Sequence, residues 1–147
     1  MISDKQVVVN GLLTHYRQRT VAKSKDYVLF LHGWGDSATT FTGLQNQLNV
    51  STIAVDLPGF GGTNAPKEVW GLNEYVNFVG AFLAKTKENP QVIIGHSNGG
   101  AIAIRGLANG SLTSQSLILL ASAGIRDPYK GEMKVLRLAA KGAKLLT

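Results

Sequence analysis

Ser97 lies in Gly95-His96-Ser97-Asn98-Gly99, a G-x-S-x-G pattern whose chemistry is nucleophilic attack on a carbonyl-type carbon. The pattern is short, so its context decides. An apolar run, Gln91 to Ile94, precedes it, and a segment of small residues follows it. A tight turn there would push the Ser97 hydroxyl above the sheet edge, in a backbone conformation that tolerates no bulk nearby. Gly95, Gly99 and Gly100 remove the side chains that would clash. A helix starting at Asn98 would aim its amides and dipole at developing negative charge. The alternative is a glycine-rich connection with an incidental serine.

A serine hydroxyl without a general base is a poor nucleophile near neutral pH. The chain holds three histidines, and none follows Ser97. His15 falls in an early hairpin and reads as a half-exposed strand residue. His32 precedes a glycine turn, where a structural hydrogen-bonding role is expected. His96 neighbours the serine, and an elbow would turn its ring away from the hydroxyl. Asp127 is a candidate acid, with an ordinary loop residue as the alternative. There is no cysteine, hence no disulfide, no thiolate nucleophile and no thiolate metal site. Neither a His-Glu-x-x-His pattern nor a carboxylate cluster is present, so no metal and no cofactor is expected.

A dinucleotide-binding reading competes. Gly33-Trp34-Gly35-Asp36-Ser37-Ala38 fits G-x-G-x-x-G/A after a strand, with Asp56 about 20 residues on. It leaves both the Ser97 turn and the Leu57-to-Thr63 loop unexplained. Gly59-Phe60-Gly61-Gly62 lacks the Gly-Lys-Ser/Thr ending of a phosphate loop.

These residues need a frame. Gln6 to Asn10 and Leu12 to Arg19 read as two short strands around a turn at Asn10-Gly11. Tyr27 to Leu31, Thr52 to Val55, Gln91 to Ile94 and Ser116 to Ala121 are apolar runs suited to strands buried on both faces. Phe41, Leu44 and Leu48 recur at helical spacing. Tyr75, Val76, Phe78, Val79, Phe82 and Leu83 form a helical stripe, with Asn73 available as N-cap. Asn98 to Leu107 reads as a helix ending at Asn109-Gly110. Alternating buried strands and helices predict an α/β fold, a mostly parallel sheet with helices on both faces.

With 147 residues, 44% hydrophobic and 16% charged, the sequence suits one globular domain. Of the net charge of +6, Arg126 onward carries +4. That basic stretch has no interleaved aromatics, so a solvated helix face is expected rather than nucleic-acid binding. Lys130 to Leu146 reads as an amphipathic helix that the chain end interrupts. No apolar run is long enough for a membrane span, and Met1 to Lys5 lacks a signal-peptide core. A cysteine-free protein of this kind is expected in the cytoplasm.

Three blocks, Tyr27-to-Leu31 with His32-Gly33-Trp34-Gly35-Asp36-Ser37, Asp56-Leu57-Pro58-Gly59-Phe60-Gly61-Gly62-Thr63, and Gly95-to-Gly99, together resemble the α/β-hydrolase superfamily. They occur in that superfamily's order, and the resemblance covers nearly the whole chain. It implies Ser97 as nucleophile, with the backbone N–H groups of Trp34 and Asn98 as oxyanion hole and His32, Gly33, Gly95, His96 and Gly99 in support. Serine, rather than aspartate, implies acyl transfer from an ester, thioester or amide, or carbon–carbon bond hydrolysis, not dehalogenation. The superfamily's triad runs serine, acid, histidine, so the base is missing. The resemblance therefore implies residues 1–128 as the N-terminal part of a hydrolase core and 129–147 as the start of a lid helix. The Ser116–Ala121 strand would be an exposed edge, open to a second copy or to a C-terminal complement. Trp34, Phe60 and Trp70 are candidates for an apolar pocket, with packing as the alternative. A non-catalytic interaction protein on the same framework is the competing class.

Overall fold

A computed structural model describes residues 1–22, 24 and 26–123. Asp127, the lid helix expected at 129–147 and the basic stripe lie outside the described residues.

The chain opens with β1 (Ile2–Val9) and β2 (Leu12–Arg19), an antiparallel hairpin. Its turn places Asn10 and Gly11 at φ 48° and 80°, the left-handed values a two-residue hairpin turn requires. Then come β3 (Tyr27–Leu31), a 3-10 turn (Ala38–Phe41), α1 (Thr42–Gln47) and β4 (Ser51–Val55). They are followed by α2 (Leu72–Thr86), β5 (Val92–His96), α3 (Asn98–Ala108) and β6 (Ser116–Leu120). The strands form one six-stranded sheet in the order β1-β2-β4-β3-β5-β6. β2 runs antiparallel to β4, while β4, β3, β5 and β6 are mutually parallel.

Pleating divides the core. Leu29, Leu31, Ile53, Val55 and Ile93 face one way, under α2 and α3. Val28, Phe30, Ala54 and Ile94 face the other, against Ala38 and Phe41. All six residues of the expected α2 stripe are buried.

Two local expectations need correction. α2 begins at Leu72 with Gly71 as N-cap, not at Asn73, because the Glu74 carboxylate accepts the Gly71 N–H at 2.8 Å. Asn73 sits inside the first turn and accepts from Arg105 Nε at 3.0 Å. Around α1, Phe41 is buried but Leu44 is 41% exposed, and Gln45 is the residue turned inward. From buried Phe41, the roughly 3.6 residues per turn of α1 bring position 45 nearer the inward direction than position 44. Gln45 Nε2 donates to Thr52 Oγ1 at 3.1 Å.

β6 is the last strand at its side of the sheet among the described residues. Ile118 and Leu120 are exposed on it. No described helix is long and apolar enough to cross a membrane.

Candidate active site

The carboxyl ends of β3, β4 and β5 bring together three turns. At the end of β5, Ser97 adopts φ 49° and ψ −115°, a left-handed backbone rare for a residue with a side chain. Its N–H donates to the Leu120 carbonyl at 3.0 Å. Its own carbonyl accepts from Gly100 at 3.1 Å, Ala101 at 3.3 Å and Ala123 at 3.0 Å. These bonds hold the bend while leaving the Ser97 side chain half-buried rather than enclosed.

Glycine permits the turn. A Cβ on Gly95 would lie 2.6 Å from Gly100 Cα, and one on Gly100 would lie 2.7 Å from Ser122 Cβ. A Cβ on Gly99 would run into the backbone carbonyls of Leu31 and His32. β5 and the start of α3 thus pack backbone against backbone, and α3 sits directly on the end of β3.

The turn after β3 meets this elbow. A Cβ on Gly33 would fall 3.2 Å from Ser97 Cβ and 3.0 Å from His96 Nδ1. Gly35 has φ 75°, and the Asp36 N–H closes a turn onto the Gly33 carbonyl at 3.3 Å. Among the described residues nothing accepts from the N–H of Trp34 or from that of Asn98. The second is expected at a helix start, where the first amides have no intrahelical partner.

His32 is fully buried and fixes this turn. Its Nε2 accepts the Leu57 N–H at 2.8 Å, so the proton sits on Nδ1 and is donated to the Gly33 carbonyl at 2.8 Å. Burial pushes its pKa down, against the opposing pull of the Gly33 bond and the charges of Asp56 and Asp36. His32 is a neutral structural hydrogen-bonder tying the β3 turn to the β4 loop.

The β4 loop is organised by Asp56, only 2% exposed. Its Oδ1 accepts the Ala38 N–H at 2.6 Å, and its Oδ2 faces the Gly62 N–H at 2.7 Å and His15 Nδ1 at 2.8 Å. His15 Nε2 in turn faces Asp4 Oδ1 at 3.1 Å, and the His15 N–H donates to Thr63 Oγ1 at 2.9 Å. Sequence reading missed this bridge, since nothing local links residues 15 and 56. The same loop carries Phe60, whose ring meets His32 edge-on at 5.9 Å and Trp34 edge-on at 4.9 Å.

The nitrogens of His15 and His32 are thus committed elsewhere, and His96 Nδ1 is buried with no partner among the described residues. None of the three is hydrogen-bonded to the Ser97 hydroxyl there. The Asp56 carboxylate is likewise consumed by protein donors, unlike the free acid a dinucleotide ribose would need. A cavity of about 350 Å³ between Leu83, Lys87, Pro90 and Thr113 lies at the opposite, amino end of the parallel strands, remote from Ser97.

A six-stranded mixed sheet with a strained serine between strand and helix is the frame of a large class of hydrolases. Residues 28–146 match the alpha/beta hydrolase family, and the chain belongs to it. An uncharacterized protein of Mycobacterium tuberculosis is 30% identical over 107 residues, which are 71% of this chain and 31% of that protein. The crystal structure of a membrane phospholipase A, a bacterial virulence factor, superposes with a TM-score of 0.80 at 26% identity, over 94% of this chain and 46% of that one. The haloalkane dehalogenase DatA of Agrobacterium tumefaciens C58 superposes with a TM-score of 0.75 at 19% identity, over 94% and 48%. The chain spans about a third of the length of that curated relative and under half of those solved structures. Such varied chemistry on one frame means that the reaction must be argued from the site.

Proposed function

We propose that this chain carries the nucleophilic part of a serine hydrolase. In this reading Ser97 Oγ attacks the carbonyl carbon of an ester, thioester or amide. As the O–C bond forms, the carbonyl electron pair moves onto oxygen, to which the N–H groups of Trp34 and Asn98 donate hydrogen bonds. Collapse of that intermediate breaks the bond to the alcohol, thiol or amine, which takes up the former Ser97 proton from the base, and leaves an acyl-Ser97. Water then releases the acid. Hydrolysis of a carbon–carbon bond next to a carbonyl is the variant in which the leaving group is a carbanion. His32, Gly33, Gly95, His96 and Gly99 hold the geometry.

One observation carries the reading: the backbone of Ser97 at φ 49° and ψ −115°, stabilised by packing that only glycine allows. Strain of this kind costs about 1–3 kcal/mol and persists where a function requires it. Serine at this position favours acyl transfer over carboxylate-based displacement of a halide.

Among the described residues no histidine bonds the Ser97 hydroxyl, so in this reading the base that takes its proton comes from outside them. The exposed β6 edge is where a C-terminal complement, or a second copy, adds its strands. Alone, an oxyanion hole and binding surface sustain about 10³–10⁴-fold catalysis over water. The cysteine-free composition fits work in the cytoplasm.

A fluorophosphonate probe tests the proposal. Slow covalent labelling that vanishes in Ser97→Ala, and accelerates when a C-terminal complement is added, is the expected result. No labelling under either condition would replace the enzyme by a binding module on a hydrolase frame.

A further inference from the structure

The chain has two tryptophans, and the fold treats them differently. Trp70 packs edge-on against Tyr75 at 5.4 Å and tilts onto Phe78 at 6.0 Å, so it belongs to the core margin. Trp34 is 69% exposed. Its only aromatic support among the described residues is Phe60, at 71° between ring planes, and Phe60 rests in turn on buried His32. An isolated exposed apolar residue needs no explanation. An indole seated on a ring that is itself backed by buried His32, one residue from the glycine that abuts Ser97, is a built surface.

Its position follows from the backbone. The proposed oxyanion donor is the N–H of Trp34 itself, so its indole stands within one side-chain length of the carbonyl oxygen. A group on the carbonyl carbon is therefore within reach of that ring. An apolar ring laid against it removes exposed surface from both partners, and two aromatic rings gain a further electrostatic preference for offset or edge-on contact.

We infer that Trp34, braced by Phe60, is the specificity-determining surface for an aromatic acyl group. The inference rests on the Ser97 reading for where the carbonyl sits. Phenylacetate is a suitable probe: its carboxylate mimics the oxyanion and its ring the acyl group.

In a Trp70→Phe background Trp34 is the sole indole reporter. Phenylacetate is expected to change its emission saturably, while acetate at the same concentrations does not. By ligand-observed NMR, Trp34→Ala should weaken phenylacetate binding about tenfold, with Trp34→Phe retaining most of the affinity. Emission that ignores phenylacetate, or equal affinity in Trp34→Ala, overturns the assignment. Fluorophosphonate labelling with a silent Trp34 would sink this surface alone. An indole response without labelling would sink the nucleophile and, with it, the acyl assignment.

Discussion

Two turns meet beside Ser97, and they are held by different means. The elbow after β5 depends on what is missing: side chains at 95, 99 and 100 would collide with backbone or with Ser122. The loop after β4 depends on what is present, a buried carboxylate whose oxygens meet two backbone amides and a histidine. The first places a residue that has a side chain at positive φ; the second leaves positive φ to Gly59 and Gly61, and a Cβ on Gly61 would strike the Asp56 carboxylate that its hydrogen bonds converge on. The contrast separates positioning from support. The proposed nucleophile is displayed by a backbone conformation rare for a residue with a side chain, while the neighbouring loop is fixed by hydrogen bonds to one carboxylate.

The largest break in this pairing should come from the elbow. Gly99→Ala sets a methyl against the carbonyls of Leu31 and His32, neither of which is free to swing aside. A loss of about 4 kcal/mol is expected, comparable to the whole stability of a marginal domain, read by urea denaturation. Gly43→Ala serves as control. Gly43 lies in α1 with open space around it, so the same change there should stabilise by up to about 1 kcal/mol. Equal effects at the two positions would remove the close-packing account of the elbow.

In the β4 loop, Asp56→Ala strips the partners from the Ala38 and Gly62 amides and from His15 at one stroke. Each buried donor left unpaired costs about 1–3 kcal/mol, partly relieved by entering water, so about 3 kcal/mol overall is expected. Equilibrium denaturation gives the value. A loss below 1 kcal/mol would mean that the loop is not held from this carboxylate.

A smaller effect should appear as a pH dependence. The native pKa of His32 is pushed below its ordinary value by burial, and its Nε2 must stay unprotonated to accept from Leu57. Between the depressed native pKa and about 6.5 the unfolded chain binds the extra proton. The contribution of neutral His32 is therefore complete above about pH 6.5 and declines as pH falls through and below that value. Thermal melts from pH 8 to 5 should lose this slope in His32→Gln. An unchanged difference between the two proteins across that range would contradict the assigned tautomer.

Legibility in the sequence followed the same division. The elbow could be read because its requirements are local: glycines two and three residues from a serine, between an apolar run and a small-residue helix. The α2 stripe was readable for the same reason, as all six apolar positions follow from one period. Gln45 was not, because a polar side chain carries no apolar signal for the inward face of α1, and Asn73 was not, because Glu74 reached back to cap Gly71. The Asp56–His15 bridge spans 41 residues and joins groups that sheet pairing alone brings together. Aspartate in the β4 block stood out, but nothing in the sequence named its partner. Trp34 and Trp70 were equivalent candidates until packing separated them.

The gentlest test acts on the strain at Ser97 alone. Glycine is at ease at φ 49° and ψ −115°, so Ser97→Gly releases the cost of about 1–3 kcal/mol that serine bears there. Greater freedom of the unfolded glycine chain offsets about 0.5–1 kcal/mol of that gain. A net stabilisation of about 1 kcal/mol is expected, together with complete loss of fluorophosphonate labelling. Ser97→Ala keeps a Cβ and should show the loss without the stabilisation. If both variants leave stability where it was, the bend is not under tension, and the hydroxyl is displayed by ordinary backbone geometry instead.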